Sequence, residues 1–325
     1  MGWNVYVTRK LPKDGLDVLR RNCGTVEVFD GDAAIPRDGL LRAVRGRDGL
    51  VCLLTDRIDA AVMDAAGPQL RGIANYAVGC DNVDVAEATR RRIPVSNTPG
   101  VLTETTADLA WALMFAAARR IAESDRLVRG GRWRGWEPMQ MLGVDVAGKT
   151  LGIVGAGRIG DAVARRAVGF RMRVLYHDEV ARPELEKACG ARRAALDELL
   201  READFVSVHV PLTAATRHLI GAREFGLMRE TAVLVNTSRG PVVDEAALVE
   251  ALRAGRIFAA GLDVYEKEPQ LAPGLAELDN VVLAPHIGSA SRETRARMAV
   301  MAATNLVAML RGERPENCVN PEVLG

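Results

Sequence analysis

Residues 151–160 read LGIVGAGRIG, a short apolar run that breaks into glycines at Gly155, Gly157 and Gly160. The run TLGIV predicts a strand and RIGDAVARRAV predicts a helix, so the G-x-G-x-x-G pattern stands between the two. In that context the first glycine makes a tight turn, the second admits a pyrophosphate close to the backbone, and the third lets helix and strand pack closely. The helix N-terminus then stabilises the phosphate charge. The context favours a dinucleotide site over a purely structural turn.

An acidic residue follows the motif at about the distance that dinucleotide sites require. The next strand, RVLYHD, ends in Asp178, eighteen residues after Gly160, where a carboxylate accepts hydrogen bonds from the ribose. Together with Glu179 it would repel the 2′-phosphate of NADP, so we predict NAD as the cofactor, with NADH preferred to NADPH. Arg182 is near enough to weaken this preference. Alternatively, Asp178 and Glu179 simply begin a surface loop and bind no cofactor.

Short β-rich runs alternate with helical patterns along the whole chain. The predicted strands before the glycine motif are WNVYVT, TVEVF, GLVCLL, LRGIANYAVG and RIPVSN, and those after it are RVLYHD, ADFVSVHV, TAVLVN, IFAAGLDV and NVVLAPH. Continuous apolar strands suit parallel sheets covered by helices on both faces. The sequence therefore predicts an α/β fold, and 325 residues suit two domains. One long helix is predicted over 103–125, with a capping box from Thr105 to Asp108, and another over 289–310.

Bulk composition excludes several classes of protein. The chain has 43 basic and 42 acidic residues, and its arginines are scattered among acids, so no nucleic-acid partner is indicated. Five dispersed cysteines without a C-x-x-C pair indicate neither a disulfide framework nor a zinc site, and we predict no metal. No apolar run approaches a membrane span and the N-terminus carries no secretory signal, so we expect a cytoplasmic protein without a membrane partner.

A loop rich in glycine and tryptophan follows the first long helix. It reads RGGRWRGWEPMQMLG over 129–143 and contains two of the four tryptophans. Tryptophans in a glycine loop need a surface to pack on, either in their own domain or on another subunit. We favour a subunit contact and therefore predict a homodimer.

Residues that can carry chemistry follow three of the predicted strands. Arg239 lies in TSRGPVVDE after TAVLVN, Glu266 and Glu268 lie in YEKEP after IFAAGLDV, and His286 lies in HIGS after NVVLAP. Ligands of a doubly wound sheet bind at the carboxyl ends of its strands, so these residues offer an anion clamp, an orienting carboxylate and a proton donor. Each position also has an ordinary alternative: Arg239 could form a surface ion pair, Glu268 could be a solvated loop acid, and His286 could be a core histidine.

Long stretches of the chain resemble the D-isomer-specific 2-hydroxyacid dehydrogenases, most closely the glyoxylate/hydroxypyruvate reductase branch. The stretches that carry the resemblance are LLTDRID (53–59), NYAVGCDNVDV (75–85), NTPGVLTETTADLAWAL (97–113), WEPMQMLG (136–143), GKTLGIVGAGRIG (148–160), HVPLTAATRHLIG (209–221), VNTSRGPVVDEAAL (235–248), GLDVYEKEP (261–269) and NVVLAPHIGSA (280–290). They run nearly from end to end of the chain.

The resemblance implies a fold of two doubly wound parallel-sheet domains, with a Rossmann cofactor domain inserted into a flavodoxin-like substrate domain. The substrate domain would begin with 1–98, the NAD-binding domain would span 99–288, and the C-terminal helix in 289–325 would return to the substrate domain. This order explains why the glycine motif stands in the middle of the chain.

The implied reaction is hydride transfer between a nicotinamide and a small 2-oxo or 2-hydroxy acid, with reduction of glyoxylate or hydroxypyruvate expected first. The family's catalytic Arg, Glu and His fall on Arg239, Glu268 and His286. Arg239 would hold the substrate carboxylate, and His286 would donate the proton. Glu268 beside the imidazole would favour its charged form.

The resemblance also implies the binding residues. Val78 and Gly79 would bind the substrate carboxylate through their backbone, with Leu53 and Leu54 walling the pocket. The residues implied to contact the cofactor are Gly155, Gly157, Arg158, Ile159, Gly160, Asp178, Val210, Pro211, Thr237, Ser238, Asp263, Thr106 and Gly288.

Departures from the branch leave the substrate open. Asp178-Glu179 replaces the small polar and basic pair of NADP-using glyoxylate reductases, and residues 139–141 differ from the aromatic pattern of some hydroxypyruvate reductases. The alternatives are a D-lactate, 2-ketobutyrate or D-3-phosphoglycerate type of dehydrogenase, or a corepressor-like binding protein that senses NAD.

Overall fold

The computed structural model describes residues 2–324. These residues form two compact units. The first runs to Leu102 and resumes at Ser289, and the second is Thr103–Gly288. The chain therefore leaves the first unit once and returns to it.

The first unit is built on a sheet of five parallel strands. They are β1 Asn4–Val7, β2 Thr25–Val28, β3 Gly49–Cys52, β4 Gly72–Asn75 and β5 Val95–Ser96. Their order is β2-β1-β3-β4-β5, which is the doubly wound order of flavodoxin-like folds. Every residue of β3, β4 and β5 is buried, as expected for strands covered on both faces.

Helices cover both faces of this sheet. They are α1 Lys13–Asn22, α2 Arg37–Ala43, α3 Ala60–Ala66, α4 Val85–Arg90 and the C-terminal helix Arg292–Leu310. Val5 and Val7 of β1 pack in one apolar cluster with the C-terminal helix, whereas Tyr6 between them packs in the cluster with α2 and α3. A Cβ on Gly15 of α1 would lie 2.6 Å from Ala299. Glycine therefore allows α1 and the C-terminal helix to touch.

The second unit contains a sheet of seven parallel strands. They are β6 Thr150–Val154, β7 Arg173–His177, β8 Arg192–Arg193, β9 Phe205–Val208, β10 Val233–Asn236, β11 Ala259–Leu262 and β12 Val281–Leu283. Their order is β12-β11-β10-β9-β6-β7-β8, which is the Rossmann order with one further strand, β12, at the edge. The order reverses between β6 and β9, and this switch point is where such sheets bind ligands.

Seven α-helices belong to the second unit. They are α5 Thr103–Ala118, α6 Ile121–Arg129, α7 Arg158–Arg166, α8 Pro183–Cys189, α9 Leu196–Glu202, α10 Ala222–Leu227 and α11 Glu245–Arg253. The C-terminal helix of the first unit is α12. Among residues 2–324, no helix is long and apolar enough to cross a membrane.

The single helix predicted over 103–125 is in fact two helices, and its predicted capping box is wrong. α5 begins two residues before Thr105, so this residue lies inside the helix. The carbonyl of Ala118, the last residue of α5, accepts a hydrogen bond from the N–H of Val144 at 2.9 Å. Arg120 then takes a left-handed conformation with φ 52° between the two helices. α5 thus ends where a distant loop contacts its last residue, and the local apolar pattern does not indicate this contact.

Candidate active site

Close backbone contacts shape the glycine loop between β6 and α7. Gly155 has a left-handed φ of 93°, and a Cβ there would lie 2.8 Å from backbone atoms of His209 and Val210. A Cβ on Gly160 would lie 2.1 Å from the carbonyl oxygen of Gly155. These two positions therefore require glycine, for the turn and for the packing of α7 on the loop.

Gly157 differs from its neighbours because a Cβ there would meet no atom within 4 Å. It is the N-cap of α7, and no side chain caps this helix end. Arg158 and Ile159 are the first helical residues, so their N–H groups lie at the positive end of the helix dipole. Open space in front of uncapped N–H groups fits a pyrophosphate.

Asp178, directly after β7, is tied to the glycine loop. One carboxylate oxygen accepts from the N–H of Ala156 at 2.8 Å and the other from the N–H of Val180 at 3.0 Å, while Nη2 of Arg182 lies 3.2 Å from both. Burial raises the pKa of Asp178, but these hydrogen bonds and the charge of Arg182 outweigh it and hold the pKa below its usual value. The carboxylate is therefore ionised near neutral pH.

Asn236, at the end of β10, organises the loop that carries Thr237, Ser238 and Arg239. Its buried amide oxygen accepts from the N–H and the hydroxyl of Ser238 at 3.0 and 2.9 Å, and its amide nitrogen donates to the carbonyl of Arg239 at 3.0 Å. The buried hydroxyl of Thr237 has no hydrogen-bond partner among the described residues. An unpaired buried hydroxyl requires an explanation, and a bound ligand would supply the partner. Thr237 therefore fits a cofactor contact.

The loop of Arg239 lies directly against the segment that carries Glu268. A Cβ on Gly240 would lie 1.9 Å from the carbonyl carbon of Tyr265, so the two backbones touch. The positive charge of Arg239 is also close enough to help lower the pKa of Glu268. The structure thus brings the predicted arginine and glutamate to one place.

Glu268 and His286, the glutamate and histidine that the resemblance implies, form a hydrogen-bonded pair. His286 Nδ1 lies 2.8 Å from Glu268 Oε2, and the N–H of Tyr265 donates to Glu268 Oε1 at 3.1 Å. Burial raises the pKa of Glu268, but the hydrogen bond from His286 and the charges of His286 and Arg239 outweigh it and place the pKa below its usual value. An ionised Glu268 makes Nδ1 the protonated ring nitrogen, which leaves Nε2 for a substrate.

The backbone of His286 is held in a costly conformation. Its φ of 55° is left-handed, which costs a residue other than glycine about 1–3 kcal/mol. The buried carboxylate of Asp263 accepts hydrogen bonds from the N–H groups of Ile287 at 2.6 Å and Gly288 at 2.8 Å. The hydroxyl of Thr106 donates to the carbonyl of Gly288 at 3.1 Å. Asp263 and Thr106 therefore hold the loop of His286, and their contact with a cofactor stays a prediction.

Three asparagines hold the predicted substrate loops of the first unit. Nδ2 of Asn97 donates to the carbonyl of Val78 at 2.8 Å, and Nδ2 of Asn75 donates to the carbonyl of Gly79 at 2.9 Å. Nδ2 of the third, Asn82, donates to the carbonyl of Leu53 at 2.9 Å. Because the C=O and N–H of a trans peptide point in opposite directions, the N–H of Gly79 points away from Asn97.

The sequence reasoning missed Asn236 and these three asparagines. A signal was available for Asn236, because an asparagine between a strand and a Thr-Ser-Arg-Gly turn is typical of a side chain that hydrogen-bonds its own loop. Val210 and Pro211 lie two and three residues after β9, and Val210 packs against Gly155. Their contact with a cofactor stays a prediction.

Two glycine substitutions separate the folding and binding roles of the loop. Gly157→Ala should leave thermal stability nearly unchanged, since its Cβ has space, but should weaken NADH binding about tenfold or more because the methyl group occupies the phosphate position. Gly160→Ala should lower the free energy of unfolding by about 1–3 kcal/mol because α7 must move. Calorimetric titration with NADH and thermal unfolding measure the two effects.

The matched control is Gly169→Ala, whose Cβ also meets nothing within 4 Å but lies beyond the end of α7. It should change neither property. Equal NADH affinity of Gly157→Ala and the unaltered protein would refute a phosphate site at this loop.

The chain is similar to known proteins over nearly its whole length. Residues 111–288 match the family model described as D-isomer specific 2-hydroxyacid dehydrogenase, NAD binding domain. A glyoxylate reductase of Korarchaeum cryptofilum is 56% identical over 98% of this chain and 96% of its own length. A solved glyoxylate reductase from Paecilomyes thermophila is 34% identical with a TM-score of 0.87, and the match covers 99% of both chains.

A second solved structure has a bound cofactor. The NADPH-dependent glyoxylate/hydroxypyruvate reductase of Sinorhizobium meliloti, in complex with NADP and malonate, is 34% identical with a TM-score of 0.85. The match covers 98% of this chain and 97% of that chain. These similarities confirm the α/β fold class and the resemblance that the sequence motifs predict. The chain belongs to the D-isomer-specific 2-hydroxyacid dehydrogenase family.

Proposed function

We propose that this protein is an oxidoreductase that reduces small 2-oxo acids to 2-hydroxy acids with NADH, and that glyoxylate and hydroxypyruvate are its first substrates. The observation that carries the proposal is the 2.8 Å contact between His286 Nδ1 and Glu268 Oε2, with Arg239 beside the same carboxylate. The relatives named glyoxylate reductase support the substrate class.

His286 is the proton donor in this proposal. Nδ1 is engaged by Glu268, so the proton leaves from Nε2 to the carbonyl oxygen of the substrate as that oxygen becomes a hydroxyl. The negative charge of Glu268 stabilises the imidazolium that must be present before transfer. In the reverse direction, neutral His286 accepts the hydroxyl proton.

Arg239 supplies the positive charge for the substrate. Its guanidinium can pair with the substrate carboxylate in two parallel hydrogen bonds, which fixes the carbonyl in register. The resemblance also implies substrate contacts from the backbone of Val78 and Gly79 and from Leu53, and we retain these three residues as proposals. Within the first unit, Asn97 holds the carbonyl of Val78, so the N–H of Gly79 in the same peptide unit points the other way.

The glycine loop, Asp178 and Thr237 would bind NADH, and when bound the nicotinamide supplies the hydride. Asp178 is the reason to prefer NADH, since its ionised carboxylate would accept the ribose hydroxyl and repel a 2′-phosphate. Arg182 lies 3.2 Å from that carboxylate and reduces its negative field. The preference should therefore be clear without being absolute, in contrast to the NADPH-dependent relative from Sinorhizobium meliloti.

One set of assays tests the assignments of the cofactor and of the substrate. Oxidation of NADH or NADPH is followed with glyoxylate, hydroxypyruvate, pyruvate, 2-ketobutyrate and 3-phosphohydroxypyruvate. We expect the highest kcat/KM with glyoxylate or hydroxypyruvate, and about tenfold discrimination for NADH over NADPH, equivalent to about 1.4 kcal/mol of repulsion. His286→Asn should lower kcat by about 10²-fold or more. Tight NADH binding without turnover of any acid would favour a binding protein that senses NAD.

We also propose a homodimer, because the loop after α6 exposes large apolar side chains. Trp133, Trp136 and Met139 are 55%, 83% and 76% exposed, and they lie within seven residues of one another. Apolar surface of this kind is typical of a protein interface. Sedimentation equilibrium should give about twice the mass of the 35.0 kDa chain, and Trp136→Ser should weaken the association. A monomer at all concentrations would refute this proposal.

A further inference from the structure

We propose that Glu245, at the start of α11, is a positioning residue of the reaction: its carboxylate fixes the loop 265–272 so that Glu268 stays against His286. The inference rests on the proposed function, because it assigns Glu245 a part in that same site. Glu245 was not among the catalytic or binding residues predicted from the sequence.

Glu245 is an unusually well buried acid. Its exposed fraction is 4%, and both of its carboxylate oxygens accept hydrogen bonds from backbone N–H groups. Oε1 accepts from Glu266 and Oε2 accepts from Ala272 at 3.1 Å. These two partners lie on either side of Glu268 in the chain, so one carboxylate clamps both ends of the loop that carries it.

The contact between Glu245 and Glu266 runs in both directions. The N–H of Glu245 donates to Oε1 of Glu266 at 3.0 Å, while the N–H of Glu266 donates to the carboxylate of Glu245. The other oxygen of Glu266 lies 3.0 Å from Nε2 of His218. The backbone N–H of His218 donates to the carbonyl of Pro241 at 2.8 Å. The loop of Glu268 is therefore tied to the segment 239–245 at several points.

The backbone contact at Gly240 makes this tie stiff. Since Gly240 touches the carbonyl of Tyr265, the two segments cannot approach further, and the clamp from Glu245 prevents them from separating. Tyr265 in turn donates its N–H to Oε1 of Glu268. A shift of the clamped loop therefore moves both the backbone donor of Glu268 and the carboxylate itself.

A simpler role for Glu245 is that of an acid at a helix N-terminus, which stabilises α11 through the helix dipole. That role needs no burial and no contact outside the helix. It also explains neither the bond to Ala272 nor the reciprocal bond with Glu266. Burial raises the pKa of Glu245, against the hydrogen bonds from Glu266 and Ala272. An acid that bears this cost is better explained by the loop that it holds.

The test uses the full chain without cofactor and follows the four histidines by NMR titration of their Cε1 protons. His286→Asn assigns the His286 resonance. Glu268 and Asp263 carry charge near His286, and Arg239 carries charge near Glu268. In Glu245→Asp the charge remains but the shorter side chain cannot reach both N–H groups, so Glu268 should loosen. The midpoint pH of the His286 titration should then fall by about 0.5 or more. This is a part of the pKa shift of about 1–3 that an adjacent opposite charge causes.

Steady-state kinetics give the second readout. For Glu245→Asp and Glu245→Gln we expect kcat for 2-oxo acid reduction to fall about tenfold, a part of the roughly 10²- to 10⁴-fold contribution of a positioned general acid, with KM for NADH within about twofold. Glu250→Gln is the matched control, because Glu250 lies exposed on the same helix, where it pairs with Arg253. It should change neither readout.

Two results would overturn the inference. Unchanged His286 titration and kcat in folded Glu245→Asp and Glu245→Gln would remove the positioning role, and a titration shift in Glu245→Gln alone would indicate a charge effect at a distance. If the unaltered protein reduces no 2-oxo acid, the proposed function fails, yet the titration still decides whether Glu245 sets the Glu268–His286 contact.

Discussion

The hydrogen bond between His286 Nδ1 and Glu268 Oε2 is the contact on which the proposed reaction depends. It joins two loops that follow different strands, so neither loop alone can create it. His286 has a left-handed backbone, and Asp263 accepts hydrogen bonds from the N–H groups of the two residues that follow it. The carboxylate of Asp263 thus contributes to the site through the main chain before any ligand is considered.

The parallel sheet explains why these groups meet. β10, β11 and β12 are neighbours in the sheet, and their carboxyl ends deliver Arg239, Glu268 and His286 to one edge. The glycine loop leaves β6 at the same edge, beside the point where the strand order reverses. The glycine loop and the proposed acid–base groups therefore share one edge of the sheet because every strand of this unit runs in the same direction.

Much of this arrangement could be predicted from the sequence, since apolar runs mark strands and chemistry follows strand ends. The runs located each long strand, and the glycine motif located α7. The sequence did not predict β8, because Arg192 and Arg193 carry no apolar pattern. Nor did it predict the end of α5, where the N–H of Val144 contacts Ala118, or the clamp at Glu245. These features are contacts to backbone atoms of distant segments, and backbone atoms leave no mark in side-chain patterns.

The most direct test of the central contact is the pH dependence of kcat for 2-oxo acid reduction in Glu268→Gln and in the unaltered enzyme. Reduction requires protonated His286, so kcat falls as the pH rises through its ionisation. A neutral amide cannot stabilise the imidazolium by charge. We therefore expect the descending limb of the profile to lie at lower pH in the variant. A limb at the same pH in both enzymes would show that Glu268 does not set the protonation of His286 and would contradict the account.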